Sequence, residues 1–449
     1  MDKTCDLSEI KVNYGTLFFT GDPLLILNLS GKRACKLLLS NPEDVKLLSL
    51  VYQNKHANIL DDEKIEKLLK WVDEGIIIRE SSHGKEEGKS KNPFLSLLRE
   101  FSSTAYLTHH QHSLVDYHRE GITDPGKQFE DEEITLSHVY RFSHPALKGL
   151  SYGARFAEVC CEKGVLKKGA NILEVGCGIG YFGNAFLSYL KERFPDIYNT
   201  IHYTFFDLSP VLLSSQKETN ISHEKMTSFI EGNIENYDFG HSRFDLVISN
   251  EMIADLGVAK LKKNYFFSDE TPPESLTETV AFCKRCNLNF EDAFEEFLIN
   301  IGAFNFITKL KEILSSDGNA IVVEYGDIHL YPHASELSAH TEFSIHFGHL
   351  IEVAKVLGFN TEFSNMLDFL GFNENEKVLD YLSFIALKEH LLPFFNRSIS
   401  QLAYTEESLG RAIGKEFLAR IHGLHFADIS EASATVNPQS FRVLIISKA

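Results

Sequence analysis

The chain has 449 residues, of which 43% are hydrophobic and 24% charged, and its formal net charge is −19. This length exceeds that of a typical single domain, so we expect two domains or one core with large additions. The acidic balance argues against binding to DNA or bulk RNA, whereas a basic peptide or protein partner is compatible with it. The first residues contain no long apolar stretch, and the sequence has no apolar run of about eighteen residues. We therefore expect no signal peptide, no membrane span and a cytoplasmic protein.

Residues 1–80 are predicted to form a small α/β domain. Two β-rich runs, Pro23 to Asn28 and Ala34 to Leu39, precede helix signals at Pro42 to Tyr52 and Asp61 to Glu74, and a short apolar strand follows. Proline in a first helical turn and carboxylates at a helix amino terminus favour these helices. The order of elements resembles a winged-helix module, including those that bind leader peptides. The alternative is an accessory domain that packs on the core or mediates homodimer formation.

Two segments separate this domain from the rest of the chain. Residues 81–92 are polar, charged and glycine-containing, and are predicted to be a linker. Residues 93–150 are predicted to be a helical, histidine-rich segment that covers the active site. No metal site is predicted, because His109 to His112 lacks the i, i+4 spacing that places two ligands on one helix face. Four residues just before the glycine-rich stretch are candidates for the wall of the active site: Tyr140, Arg141, His144 and Tyr152. The alternative is that they only pack in the core.

The most informative stretch is Asn171 to Asn184, NILEVGCGIGYFGN. An apolar strand ends in Gly176, Gly178 and Gly180, and a helix signal follows directly. Glycines let the backbone turn sharply and let a ligand approach the main chain. Glu174 within the strand makes the pattern E-x-G-x-G-x-G. This form is found in S-adenosylmethionine (SAM) methyltransferases, which bind no pyrophosphate and can use a carboxylate near the amino-acid moiety of the ligand.

Three further landmarks follow in the order that a doubly wound sheet requires. An aromatic strand ends in Asp207, whose carboxylate can accept hydrogen bonds from ribose hydroxyls. Asn233 follows the next strand, where these enzymes commonly carry an acid or amide that reads the adenine amino group. The fourth strand ends in Asn250 and Glu251, at the edge where the reacting methyl should lie. A nicotinamide dinucleotide is disfavoured as the ligand, because Asn233, Asn250 and Glu251 have no role in binding one.

The methyltransferase domain is predicted to span 151–449, with a helical lid insertion at about 252–300 between the fourth and fifth strands. The predicted fold is therefore a Rossmann-like, seven-stranded class I methyltransferase sheet that binds SAM and yields S-adenosylhomocysteine. Cys283 and Cys286 in the insertion supply only two of the four ligands of a structural zinc site. Buried or surface thiols are therefore the favoured interpretation of this pair.

The fifth predicted strand, NAIVVEYGD, ends near Tyr325, and a loop with His340 follows it above the sheet edge. Near the end of the chain, LHFADIS and FRVLIISKA read as two late strands. We expect them to be the antiparallel sixth and seventh strands of the sheet.

Three motifs in this region resemble those of the MidA family. NEMIADLGV is similar to its Asn-Glu-Phe-Phe-Asp-Ala-Leu-Pro-Val stretch, EYG to its Asp-Tyr-Gly, and SAHTEFS to its Ala-His-Val-Asp-Phe segment. Mitochondrial members of that family are protein arginine methyltransferases needed for the assembly of respiratory complex I. The resemblance covers roughly 135–375. Two positions depart from the pattern, since Ala254 and Gly257 stand where the family has aspartate and proline, and the first hundred residues have no counterpart.

The motifs and the resemblance together imply the site residues. The predicted cofactor-binding residues are Glu174, Gly176, Gly178, Gly180, Asp207, Asn233 and Asn250, and the predicted catalytic residues are Glu251, Asp255, Tyr325 and His340. Glu251, with Asp255, is expected to orient and deprotonate a nitrogen nucleophile. The predicted function is methyl transfer to a protein or peptide side chain, with arginine-like nitrogen as the acceptor. The alternatives are a small-molecule (natural-product) methyltransferase and a non-catalytic SAM-binding assembly factor.

Overall fold

The computed structural model describes residues 10–12, 16–19, 24–28, 35–39, 44, 47–48, 51, 62–73, 76–79, 117–131, 134–336, 341–431 and 437–448. The chain forms two compact units, one drawn from 1–91 and 375–435 and the other from 92–374 and 436–449. The predicted linker at 81–92 lies outside the described residues. Among the described residues, no helix is long and apolar enough to cross a membrane.

The strands and helices are numbered in chain order. The strands are β1 (Ile10–Val12), β2 (Thr16–Phe19), β3 (Leu24–Asn28), β4 (Cys35–Leu39), β5 (Ile77–Arg79), β6 (Asn171–Val175), β7 (His202–Asp207), β8 (Thr227–Glu231), β9 (Phe244–Asn250), β10 (Ala259–Lys262), β11 (Glu296–Ile299), β12 (Leu314–Asp327), β13 (Ala334–Glu336), β14 (Thr341–Phe343), β15 (Ile345–His346), β16 (Phe359–Asn365), β17 (Lys377–Leu379), β18 (Ile421–His422), β19 (Phe426–Asp428) and β20 (Phe441–Lys448). The helices are α1 (Asp62–Asp73), α2 (Pro125–Asp131), α3 (Leu136–Val139), α4 (Tyr152–Glu162), α5 (Tyr181–Arg193), α6 (Pro195–Tyr198), α7 (Pro210–Thr219), α8 (Asn264–Phe267), α9 (Glu274–Arg285), α10 (Ile301–Ile313), α11 (Phe347–Val356), α12 (Met366–Leu370), α13 (Tyr381–Phe395), α14 (Glu406–Ile413) and α15 (Lys415–Leu418).

The larger unit is built on one sheet with the strand order β16-β20-β12-β9-β6-β7-β8, and β15 pairs alongside β12. Strands β8, β7, β6, β9 and β12 are parallel, and β20 runs antiparallel between β12 and β16. Most residues of β6, β7 and β9 are buried, as expected of central parallel strands covered on both faces. The carboxyl ends of these parallel strands meet at one edge, where ligands of such sheets bind.

The prediction of the last two strands is half right. FRVLIISKA contains β20, which is antiparallel to both neighbours, as expected. The other late strand of this sheet is β16, whereas β19, from LHFADIS, pairs with β17 in the smaller unit. Strand β16 lies at the sheet edge, and only its first residue is fully buried. Such a strand carries little apolar signal in its sequence.

The smaller unit contains a four-stranded antiparallel sheet with the order β18-β2-β3-β4. The predicted elements at β3, β4, α1 and β5 are present. The unit also includes 375–435, which the sequence assigned to the methyltransferase domain. Strand β18 has two residues, and its partner β2 lies about four hundred positions earlier in the chain, so no local pattern predicts the pairing. The apolar core of this unit includes Leu17, Leu387 and Leu409.

The insertion after β9 is a β-hairpin with two helices between its strands. Strands β10 and β11 pair antiparallel, and α8 and α9 lie between them in the chain. The two predicted helices are therefore present, whereas the flanking strands were not predicted. Leu261, Phe290 and Phe297 are buried in the main core of the unit, so the insertion is anchored to the domain. Cys283 and Cys286 are buried free thiols.

Candidate active site

The loop between β6 and α5 turns on three glycines with a left-handed backbone. Gly176, Gly178 and Gly180 have φ angles of 70°, 50° and 85°. Residues with a side chain rarely adopt this region, so the loop depends on glycine. A Cβ atom on Gly178 would also lie 2.8 Å from the ring of Phe129, and one on Gly176 would overlap the side chain of Met252. This glycine loop (Gly176–Gly180) therefore presents bare main chain at the carboxyl end of β6.

Asp207, the predicted ribose acceptor, lies directly beside the glycine loop. Its Oδ2 accepts hydrogen bonds from the main-chain N–H of Cys177 (3.1 Å) and from Nε2 of Gln216 (2.9 Å), and its Oδ1 accepts one from the N–H of Ser209 (3.0 Å). The side chain is only 6% exposed. Burial raises the pKa of Asp207, and these donors oppose that rise. An ionised carboxylate has about four acceptor sites, so capacity for a ribose hydroxyl is left.

Asn233 lies in the turn after β8, next to the end of β7. The N–H of Gly232 donates to the carbonyl of Asp207 (2.9 Å), which brings this turn to the same corner of the sheet. The Oδ1 atom of Asn233 accepts the N–H of Glu235 (2.9 Å). The half-buried amide of Asn233 is thereby held in one orientation near Asp207, the predicted ribose acceptor.

Glu174 lies beneath the glycine loop and not at its surface. The hydroxyl of Tyr203 donates to its Oε2 (2.8 Å), and a Cβ atom on Gly183 would come within 2.7 Å of the same oxygen. The carboxyl is therefore enclosed between β6, β7 and α5. Burial raises its pKa to about 8, while the bond from Tyr203 opposes the rise. In this position it supports the strand and helix that carry the loop.

Asn250 and Glu251 form a hydrogen-bonded chain where β9 ends. The hydroxyl of Tyr152 donates to Oδ1 of Asn250 (2.6 Å), and Nδ2 of Asn250 donates to Oε1 of Glu251 (3.0 Å). The main-chain N–H of Leu136 donates to both carboxylate oxygens of Glu251, at 2.9 and 3.1 Å. Glu251 has a φ of 56°, a strained conformation that costs about 1–3 kcal/mol and is typical of functional positions.

Four carboxylates surround this corner, and we call Glu251, Asp255, Glu324 and Glu342 the carboxylate edge. Glu324 is buried where β12 ends, and its oxygens accept the N–H groups of Ala254 (3.1 Å) and Tyr325 (2.9 Å).

Burial and neighbouring charge both act on the carboxylate edge. Burial raises the pKa of Glu251 to about 8. The hydrogen bonds from Leu136 and Asn250 oppose the rise, and the charge of Glu342 adds to it. Burial, with the charges of the other three carboxylates, also raises the pKa of Glu324 well above its usual range.

Residues 118–136, which precede the sheet in the chain, contact both the glycine loop and the carboxylate edge. Phe129 of α2 lies over Gly178, and Leu136, the first residue of α3, holds Glu251. His118 Nε2 lies 3.4 Å from Oδ1 of Asp255. The sequence predicts that 93–150 covers the active site, but it did not indicate these three contacts, because nothing local to residues 118–136 shows which part of the sheet they reach. Glu324 lies in the EYG motif and Glu342 in SAHTEFS, but neither was assigned to the site.

The remaining predicted residues lie elsewhere or outside the described residues. Tyr325 is 38% exposed, and its hydroxyl lies 3.3 Å from Nε2 of His333, whose Nδ1 is 2.8 Å from the hydroxyl of Ser344. The main-chain N–H of Tyr325 donates to Glu324 (2.9 Å), whereas among the described residues its side chain forms no hydrogen bond to the carboxylate edge. His340 lies outside the described residues. Tyr140 packs edge-on against His144 in the core.

Comparison with known proteins identifies the domain. Residues 166–342 match a family model described as a methyltransferase domain. Malonyl-[acyl-carrier protein] O-methyltransferase 1 of Ilyobacter polytropus is 36% identical over 84 residues, which cover 19% of this chain and 28% of that protein. The chain thus matches well under half the length of this curated relative.

Two solved structures are similar in fold. One is a TehB-like SAM-dependent methyltransferase from Corynebacterium glutamicum, with 17% identity, a TM-score of 0.26, and coverage of 47% of this chain and 74% of that one. The other is a Burkholderia thailandensis protein solved with S-adenosyl-homocysteine bound, with 14% identity, a TM-score of 0.39, and coverage of 79% and 91%. Likenesses at these scores say nothing about the acceptor.

The strand order, the glycine loop and the family match all indicate a methyltransferase domain. The predictions of fold, enzyme class and cofactor are confirmed: this chain contains a class I methyltransferase domain that uses SAM.

Proposed function

We propose that the chain methylates a nitrogen of a protein or peptide side chain, with an arginine-like guanidinium as the acceptor. The observation that carries the proposal is the carboxylate edge, where four acidic side chains from β12, β14 and the turn after β9 interact electrostatically. A carboxylate matches the paired N–H donors of a guanidinium, and negative potential concentrates cationic acceptors. The MidA-like motifs around Asn250 and Glu324 support the same acceptor.

The donor side fits SAM. A side chain on Gly178 would meet the Phe129 ring, so only a bare main chain leaves space beside the loop. Asp207 has acceptor capacity left for a ribose hydroxyl, and Asn233 is held at the same corner. When bound, SAM supplies an electrophilic methyl group on its sulfonium. The residues that would hold it are the glycine loop, Asp207 and Asn233.

On the acceptor side, Glu251 is positioned to orient the nucleophile and take its proton. Asn250 and Leu136 fix both of its oxygens, so its direction is set before an acceptor arrives. Its pKa of about 8 is close to the range in which a general base is most effective. Asp255 adds a further carboxylate, and a cationic acceptor would favour the ionised form of Glu324, whose pKa burial raises. Both effects favour a cationic acceptor over an anionic one.

A small-molecule acceptor is the second candidate. It is favoured by the cover that Phe129 and Leu136 place over the two halves of the site, since a covered pocket suits a small substrate. The carboxylate edge, however, would repel a carboxylate acceptor. We therefore place a cationic or neutral nitrogen compound ahead of an acid within this candidate class.

The test uses SAM with a trideuterated methyl group in cell extract, comparing the wild-type chain with Glu251→Gln. We expect the heavy methyl on arginine or another side-chain nitrogen of specific proteins, located by tandem mass spectrometry, and not with the variant. Label confined to the small-molecule fraction would replace the proposal with the second candidate. No label in either fraction, with SAM binding intact, would indicate a non-catalytic SAM-binding protein.

A further inference from the structure

Two phenylalanines on the insertion are exposed to an unusual degree. Phe267 at the end of α8 is 54% exposed, and Phe294 before β11 is 77% exposed. Scattered exposed apolar residues are common, but the Phe267 ring and the main chain next to Phe294 both lie close to one side chain, that of Lys263. The Lys263 ammonium lies 5.8 Å from the Phe267 ring centroid and donates to the carbonyl of Ala293 at 3.2 Å.

The two phenylalanines are also held on a rigid base. The main-chain N–H of Lys263 donates to the carbonyl of Glu295 (3.0 Å), which joins the two loops. Beneath them, the ring centroids of Phe266 and Phe290 are 4.4 Å apart, and those of Phe290 and Phe297 are 4.9 Å apart. Phe290 and Phe297 belong to the main core. The exposed rings are therefore preorganised, which lowers the entropic cost of binding.

Exposed carboxylates lie close to the two phenylalanines in the sequence. Asp269 follows Phe267 by two residues, and Glu291 and Glu295 lie within three residues of Phe294 in the sequence; all three are exposed. The neighbouring Glu270 and Glu296 pair with Lys262 and Lys260. By contrast, Asp269, Glu291 and Glu295 form no salt bridge with any part of the chain that the structure describes.

We propose that Phe267, Phe294, Asp269, Glu291 and Glu295 form a docking surface for a basic segment of a partner protein. An apolar side chain of that segment would pack on the two rings, and its lysines or arginines would face the carboxylates. Rigid aromatic anchors with a charged rim are typical of protein interfaces. A second copy of this chain is disfavoured as the occupant because its net charge is −19, and the acidic rim disfavours an anionic membrane.

The test measures binding without SAM or methyl transfer, so its outcome is independent of the proposed function. The probe is a fluorescein-labelled peptide of Arg-Leu-Lys-Phe repeats, and its partner probe replaces leucine and phenylalanine with serine. We expect fluorescence anisotropy to show binding of the apolar peptide at least about tenfold tighter. The double variant Phe267→Ser/Phe294→Ser should lose this difference while keeping its circular dichroism spectrum.

A matched control replaces two exposed apolar residues elsewhere on the same unit, Ile221 and Val356, with serine. This control should bind both peptides as the wild type does. Glu291→Lys/Glu295→Lys should weaken both peptides. Equal affinity for the two peptides, or equal losses in the phenylalanine and control variants, would overturn the proposal. A dimer in sedimentation velocity that the phenylalanine substitutions abolish would assign the surface to a second copy instead.

Discussion

The donor and acceptor sides of the site are built in opposite ways. The donor side, made of the glycine loop, Asp207 and Asn233, comes from one continuous stretch, and main-chain groups supply most of its contacts. The carboxylate edge draws its side chains from two strand ends and β14, and Leu136, far earlier in the chain, holds its central member. In the proposed function, recognition of a constant donor would thus depend on backbone geometry, whereas recognition of the acceptor would depend on side-chain charge.

The two sides also differ in how their carboxylates are stabilised. Asp207 receives three hydrogen bonds, two of them from main-chain N–H groups. Burial raises the pKa of all three carboxyls. At Asp207 the three donors oppose the rise, whereas at Glu251 and Glu324 the charge of Glu342 adds to it. The four predictions below test this contrast.

The largest effect is expected for Gly178→Val on SAM binding. The substitution combines a left-handed φ with a clash against Phe129, so the main chain can no longer offer an open cradle. We expect affinity for SAM in calorimetry to fall at least about a hundredfold, equivalent to about 2.7 kcal/mol. The matched control is Gly164→Val, where φ is +69° and nothing lies within 4 Å of a Cβ. If both variants lose SAM equally, backbone strain and not the cradle explains the loss.

Glu251→Gln should separate the two sides of the site. The amide cannot accept a proton from the nucleophile, so we expect the methyl-transfer rate in the heavy-methyl assay to fall about a hundredfold. At about pH 6, where Glu251 is largely protonated, affinity for SAM in calorimetry should change by less than about threefold, because the glycine loop and Asp207 are untouched. Glu362→Gln is a suitable control, since Glu362 is exposed and, among the described residues, forms a salt bridge with Lys163 alone. Transfer at the wild-type rate would remove Glu251 from the mechanism.

The contrast between the donor side and the carboxylate edge also explains which parts of the site could be predicted from the sequence. The donor side could be found because a strand, three glycines and a helix are contiguous, and because Asp207, Asn233 and Asn250 each follow a recognisable strand. Glu251 was found for the same reason. The motif predicts that Glu174 lies near the ligand, and that assignment stays a prediction; what the sequence did not indicate is that Tyr203 donates to this buried carboxyl.

Contacts between distant segments could not be read from local patterns. The bond from Leu136 to Glu251 spans 115 positions, and it uses a main-chain N–H that any residue type would supply. Strand β16 was missed because its sequence, FNTEFSN, is mostly polar at a sheet edge. The pairing of β18 with β2 joins opposite ends of the chain. In each case long-range packing, and not propensity, decides the structure.

A third prediction asks whether the carboxylate edge senses the charge of the donor. SAM and S-adenosylhomocysteine share every group except the methylated sulfonium. Glu251 has a pKa of about 8, so it gains negative charge between about pH 6 and pH 9 and should attract the sulfonium. We expect the ratio of SAM to S-adenosylhomocysteine affinity to rise about fivefold over this range in calorimetry, a change of about 1 kcal/mol.

Taking the ratio of the two affinities removes the effect of titrating groups that influence both ligands equally. Glu251→Gln should reduce the change with pH to less than about twofold, because the group that titrates is removed. A wild-type ratio that stays constant with pH would mean that the reacting methyl does not lie near Glu251. The division between a donor side and an acceptor edge would then need to be redrawn.

The smallest effect is expected on thermal stability, and it decides whether Glu174 supports the fold or binds the cofactor. Its pKa is about 4.5 in the unfolded chain and about 8 in the fold. Between these values the folded chain keeps a proton that the unfolded chain has lost, so rising pH favours unfolding. Glu174→Gln lacks this dependence. Relative to the wild type, its melting temperature should therefore rise by about 5 °C from pH 5 to pH 9 in thermal denaturation, with little change in SAM affinity. If the variant instead loses SAM affinity at every pH, Glu174 is a cofactor ligand and the motif-based assignment holds.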